Sequence, residues 1–188
     1  NTDSKQWRKV SSRMSTLGIE KIEHTNGTTA VNINSSGAII VPNRPAFNVQ
    51  ITIAGPTNSS NIFANNRTVH LNQGNHWQAS GSNEGKFVAP IAGLYYFEMN
   101  GFQSDSSNNN SATQQWKFHF TKNGNTLSDI LGKLHYGYCR YADHSMVYMS
   151  ELVVLAANDA VGVRTEQGYL YSASNDTRNP SFSGYLIG

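Results

Sequence analysis

The stretch Gln115-Trp116-Lys117-Phe118-His119-Phe120-Thr121-Lys122-Asn123-Gly124-Asn125 decides the fold class. Trp116, Phe118 and Phe120 alternate with Lys117, His119 and Thr121, the period-2 pattern of a strand with one face on a core and one toward water. The strand ends in Asn123-Gly124, a hairpin signal, because the tightest hairpin turns need residues that accept positive φ. Outward from this point, turn residues punctuate a series of short apolar runs. They predict strands at 46–54, 68–71, 86–89, 93–103, 126–136, 146–156, 160–167 and 181–187. No long helical period follows Leu17. Short strands at this spacing imply a sandwich or a barrel. The last residues, Phe182-Ser183-Gly184-Tyr185-Leu186-Ile187-Gly188, are largely apolar, whereas chain ends usually fray in water. They predict a closing strand buried in a sheet.

The first 44 residues read differently, as an N-terminal arm and a shaft or collar segment ahead of a domain at 45–188. Trp7, Val10, Met14 and Leu17 form a three-four-three apolar stripe, with Asp3 or Ser4 as a cap. At under three turns it is too short to stand alone as a helix, so a short helical arm and an extended arm both remain open. Further on, Val31 and Ile33 alternate with Asn32 and Asn34, and Asn26-Gly27 and Ser36-Gly37 mark turns. One copy of such thin β material cannot bury its apolar face. Three copies wound together could.

Composition narrows the function classes. Hydrophobic residues make up 38% of the 188, with 9 Tyr, 8 Phe and 3 Trp, enough for a sizeable core. Charged residues make up only 14%, against a usual ~25%. Asn, Ser, Thr and Gln wet the surface instead, which suits an extracellular or virion-exposed protein. The net charge of +2 includes no basic stripe beyond Lys5, Arg8, Lys9 and Arg13, so nucleic acid is not an expected partner. No run approaches ~18 apolar residues, so no membrane insertion is expected. A single cysteine, Cys139, allows no internal disulfide, and the fold must rest on its core or on oligomerisation.

The motifs then converge on one family. Pro45-Ala46-Phe47-Asn48-Val49, Asn72-Gln73-Gly74-Asn75-His76-Trp77, Gly85-Lys86-Phe87-Val88-Ala89-Pro90-Ile91-Ala92-Gly93-Leu94-Tyr95-Tyr96-Phe97, Lys122-Asn123-Gly124, the turn at Asn158-Asp159 and Phe182-Ser183-Gly184-Tyr185-Leu186 follow in order. Together they resemble the globular head domain of complement C1q, over about three quarters of the chain. That resemblance implies an all-β, ten-stranded jelly-roll sandwich related to tumour-necrosis-factor folds. It also implies a bell-shaped homotrimer with the closing strand near its axis. Phe47, Tyr96, Phe97, Phe182, Tyr185 and Leu186 are its expected core and trimer-interface residues. The chain lacks any Gly-X-Y repeat, so a collagen stalk is excluded in these residues. The lead-in Ser35 to Phe47 instead resembles virion structural proteins of tailed phages.

Catalysis finds little to build on. There is no His-Glu-x-x-His, no paired-cysteine motif and no phosphate loop. His70 and His76 flank a turn and read as ordinary hydrogen-bonding residues. His135, Cys139, Asp143 and His144 supply nucleophile and base types, but a strand–loop–strand crossing would spread them apart. No carboxylate pair for glycoside hydrolysis can be nominated. No catalytic residue and no cofactor is expected. Calcium is the one cation the oxygen-rich loops near Asp105 or Asp176 could serve. Asn26, Asn34, Asn58, Asn66, Asn109 and Asn175 begin glycosylation sequons, which matter only in a eukaryotic secretory setting. The ligand-reading candidates are loop aromatics and polars: Trp77, Tyr138, Tyr141, Tyr169 and Tyr171, able to stack on sugar rings, with Asn175 and Asp176 to take hydroxyls. The expected function is therefore a trimeric, non-enzymatic virion appendage. Its partners are a host-surface glycan or protein and, through the N-terminal arm, other virion proteins. The alternative is a secreted, extracellular pattern-recognition lectin of a eukaryote.

Overall fold

The computed structural model describes residues 18–51, 55–57, 61–64, 67–104, 114–124, 130–139, 145–167, 169–172 and 179–188. The expected arm with Trp7, Val10, Met14 and Leu17 lies outside them. The chain divides into two compact units, Asn1–Asn43 and Arg44–Gly188. Among the described residues every regular element is a strand.

The described residues of the first unit form a three-stranded antiparallel sheet of β1 (Lys21–Glu23), β2 (Thr29–Ile33) and β3 (Ile39–Ile40). Its second turn is set by one side chain. Asn34 Oδ1 accepts from Ser36 N, Ser36 Oγ and Ala38 N at 3.0, 2.7 and 2.9 Å, while Gly37 takes the positive φ the reversal needs.

The second unit is a sandwich of two antiparallel sheets. Its strands are β4 (Ala46–Ile51), β5 (Gly55–Thr57), β6 (Arg67–Gln73), β7 (Phe87–Val88), β8 (Gly93–Ser104), β9 (Gln114–Lys122), β10 (Ile130–Cys139), β11 (Ser145–Leu155), β12 (Ala160–Gln167), β13 (Tyr169–Ser172) and β14 (Ser181–Leu186). The small sheet runs β10-β9-β12-β7. The large one runs β5-β13-β8-β14-β4-β6, with β11 on the other edge of β8. The closing strand β14 thus lies inside the large sheet, between β8 and β4. Its end is tied by Leu94 N donating to Gly188 O at 2.7 Å and by Arg44 Nη2 donating to Ile187 O at 2.9 Å.

Aromatic rings fill the space between the sheets. The Phe47 ring stacks at 5.1 Å on both Trp77 and Phe87 and meets Phe182 edge-on at 4.8 Å. Phe97, Phe118, Phe120, Met99, Met149, Val147, Val161 and Val163 close around them, all buried. Gly184 makes this packing possible. A Cβ there would lie 2.5 Å from Phe97 Cδ1 and 2.9 Å from Phe47 Cε1, so no other residue fits without moving those rings.

Asp159 welds two turns together. Its carboxylate accepts from Asn123 Nδ2 at 2.7 Å and Ala156 N at 2.8 Å and pairs with Lys122 Nζ at 2.8 Å. Burial opposes its ionisation, but the Lys122 and Asn123 hydrogen bonds prevail and hold the carboxyl below its ordinary range. Asn123 and Asn158, the turn residues on either side, both take positive φ.

Two expectations need correction. Among the described residues the sandwich has strands of four and seven, one more than the expected ten, because the far end of β8 carries the short pair β13 and β5. His119 and Thr121, expected on the wet side of β9, are both buried. The cover comes from the chain itself: Lys86 and Asn61 lie over the neighbouring Gly162, 3.1 and 3.7 Å from where a Cβ would sit.

Candidate functional site

The period of two splits the six expected core and interface residues into two sets. Phe47, Phe97 and Phe182 point inward and are wholly buried. Tyr96 and Tyr185, each beside an inward residue, point the other way. Leu186 returns to the inner side, where it packs partly buried against the core.

The outward set defines a surface. On β11 the inward residues Val147, Met149, Val153 and Leu155 alternate with outward Met146, Tyr148, Ser150, Leu152 and Val154. Met146, Leu152 and Val154 are 70%, 61% and 73% exposed. The register continues this row across the sheet. Leu152 stands opposite Tyr96, Tyr96 opposite Tyr185, and Val154 opposite Leu94. The Tyr96 and Tyr185 rings meet at 5.6 Å. Ile187 N bonds to Leu94 O, bringing a further half-exposed aliphatic residue to the same end. A large exposed apolar patch on a soluble domain marks a contact surface.

Polar groups sit in one band across this face. Glu98 Oε1 accepts from Ser183 Oγ at 3.0 Å and Oε2 from Tyr96 Oη at 3.2 Å, and the Tyr96 and Tyr148 hydroxyls are 3.3 Å apart. The Tyr148 hydroxyl, burial and the Glu98 charge push Tyr96 up to about 12, so it stays protonated and donates. The carboxylate is held by two neutral donors, the Ser183 and Tyr96 hydroxyls. Such a face is suited to association.

Met146, Tyr148, Leu152 and Val154 were not among the sequence candidates. Their signal was present, since a run apolar at both alternating sets reads as a strand covered on both faces. Trp77 is a correction in the other direction. Expected among the ligand-stacking loop aromatics, it is buried against Phe47, Phe63 and Phe182. Asn72 clamps its backbone, accepting from Trp77 N at 2.8 Å and donating to Trp77 O at 3.1 Å, and a bridge to Phe87 turns the indole inward.

Tyr138 lies on β10, and Tyr169 and Tyr171 on β13, with side chains outside the described residues. Tyr141, Asn175, Asp176 and Asp105 lie outside them altogether, as do Asp143 and His144. Tyr169 and Tyr171, expected in a loop, therefore stand on a strand. His70 is exposed, 3.3 Å from Gln50 Oε1, and partial burial lowers the His76 imidazole. Among the described residues no three His, Cys, Asp or Glu side chains gather as a metal site would require. Among them, too, no helix is long and apolar enough to cross a membrane.

Comparison with known proteins agrees with this architecture. A family model described as the C1q domain matches residues 46–187. Similar solved structures include the globular domain of zebrafish complement 1qA protein, with a TM-score of 0.54 at 15% identity over 77% of this chain and 98% of that one. Murine APRIL at pH 5.0 aligns with a TM-score of 0.53 at 10% identity over 77% and 99% of the two chains. The Eiger TNF structure from S. frugiperda gives 0.50 at 14% identity over 77% and 93%. These likenesses are likenesses of fold. No curated protein matches the chain by sequence. With the family model covering the whole sandwich and its two-sheet order in place, the chain belongs to the C1q domain family.

Proposed function

We propose that the chain is a non-enzymatic homotrimeric binding module whose subunits meet through the outer face of the large sheet. The observation that carries this is the uncovered row of Met146, Leu152 and Val154 beside Tyr96 and Tyr185. Aliphatic side chains this exposed on a regular strand find their cover in another subunit. Membership of a family whose domains form homotrimers makes a threefold partner the natural one.

In this reading the loops face outward and take a host-surface glycan or protein, each site weakly, with three sites giving avidity. Tyr138, Tyr141, Tyr169, Tyr171, Asn175 and Asp176 are the residues proposed to read it, with calcium near Asp105 or Asp176 as the one proposed ion. Two settings suit such a module. A β-structured lead-in in place of a collagen repeat favours a virion appendage, with the arm docking onto other virion proteins. The C1q domain match itself favours a secreted extracellular lectin.

A glycan array probed with the full chain and with Leu152→Glu tests the module. Binding by the full chain that weakens at least ~10-fold in the variant is expected, because a monomer loses avidity. Equal binding by both would contradict the multivalent reading. Release of oligosaccharide from a cell-envelope polysaccharide would contradict the non-enzymatic one.

A further inference from the structure

The first unit carries a face that its own size cannot cover. The register places Ile22 opposite Val31 and Ile33 opposite Ile39. Val31 and Ile33 are two apart on β2 and therefore share a side, and Val41 follows Ile39 by two. Ile22, Val31, Ile33, Ile39 and Val41 thus form one aliphatic side of the sheet. Lys21, opposite Asn32, stands on the other side with Ile40, and it pairs with Glu23 at 2.6 Å.

Every described residue of this unit is at least partly exposed, and Ile39 is 71% exposed. A sheet of three short strands with no buried residue is below the size that is stable alone. Yet its turns are specified in detail, by Asn34 with Gly37 and by Asn26, whose Oδ1 accepts from Thr28 N at 3.0 Å, with Gly27. The sequence thus builds a defined sheet and leaves its apolar side without a core.

We propose that this aliphatic side is covered by the same side of two other copies of the chain, so that three sheets close around a core that no single copy possesses. Three features favour the chain's own copies as the occupant. The five residues named are all aliphatic, and such groups match themselves. The one lysine among the unit's described residues, Lys21, is paired within its own sheet, so it asks for no acidic partner. The segment is also joined covalently to a domain proposed to assemble in threes, which raises the local concentration of copies. The proposal rests on that trimeric reading.

Hydrogen exchange of the full chain tests it, with the mass in solution measured alongside. The β2 amides should exchange ~10-fold or more slowly than in an unstructured chain, in a protein of trimer mass. Ile39→Asp should abolish that protection while the sandwich amides and the mass stay unchanged. Ile40→Asp, on the same strand but the opposite side, should leave it intact. Unprotected β2 amides in a protein of trimer mass, or equal effects of the two substitutions, would overturn this proposal and leave the trimeric domain standing. A monomer mass would overturn both.

Discussion

The two outer faces of the sandwich are inverted with respect to what water should favour. On the small sheet the outward residues are polar, His119, Thr121 and Arg164 around Gly162, and yet His119 and Thr121 are buried beneath the chain's own covering. On the large sheet the outward residues beside a polar band of Glu98, Ser150 and Ser183 are apolar, Met146, Leu152, Val154 and Tyr185, and they are open. Burial ordinarily follows polarity, so an uncovered apolar surface on one side of the sandwich and a covered polar one on the other call for different explanations. The small sheet is covered by the chain itself. The large sheet is left open, and the cover proposed for it is another subunit.

The largest effect should come from the layer both faces share. Phe97→Ala removes a wholly buried ring that contacts Phe47, Phe87, Phe120 and Phe182, and should cost ~3–5 kcal/mol in denaturant unfolding. A loss under ~1 kcal/mol would place the core elsewhere. Leu152→Glu sharpens the contrast between the faces. It should reduce the mass in light scattering to that of a monomer, while far-ultraviolet dichroism stays unchanged, because an exposed site tolerates charge. A retained trimer would break the comparison.

The covered face should respond to acid. Burial first, then the Arg164 charge, pushes the His119 imidazole below its ordinary value of 6.5, with Glu166 opposing. The unfolded chain then binds a proton that the folded one refuses. The stability is fully present above pH 6.5 and is lost as pH falls from there toward the folded value, by at most ~1.4 kcal/mol per pH unit for one such group. His119→Leu should flatten that dependence between pH 7 and 5, read by thermal unfolding. An unchanged slope would show that the imidazole is not sealed. The smallest effect is expected within the polar band of the open face. Tyr96→Phe removes one donor to Glu98 and the contact with the Tyr148 hydroxyl, and should cost ~0.5–1.5 kcal/mol.

Much of this was legible in the residues, and the rest failed for physical reasons. Phe118, Phe120, Val161 and Val163 announced their inward positions by period, and Asn123 takes the positive φ its place after β9 suggested, while the rest of that connection, from Asn125, lies outside the described residues. His119 and Thr121 could not be placed, because alternation reports the two sides of a strand and says nothing of what later covers the polar one. Trp77 was misread because an aromatic beside a turn looks exposed until its bridge to Phe87 is known. The run Gly55-Pro56-Thr57 escaped notice because proline argues against a central strand, and β5 is an edge strand where proline is tolerated. The open face was missed because Met146 to Leu155 looks like ordinary core until the register separates its two sides. Tyr141, Asn175, Asp176 and Asp105 fall outside the described residues, and their roles rest on sequence alone.

The claim on which the rest depends is that the open face of the large sheet is an interface between three copies. Light scattering of the full chain at micromolar concentration addresses it directly. The account predicts three times the 20.7 kDa chain mass, collapsing to one with Leu152→Glu. A stable 20.7 kDa species for the unaltered chain, with Met146, Leu152 and Val154 open to solvent, would contradict it.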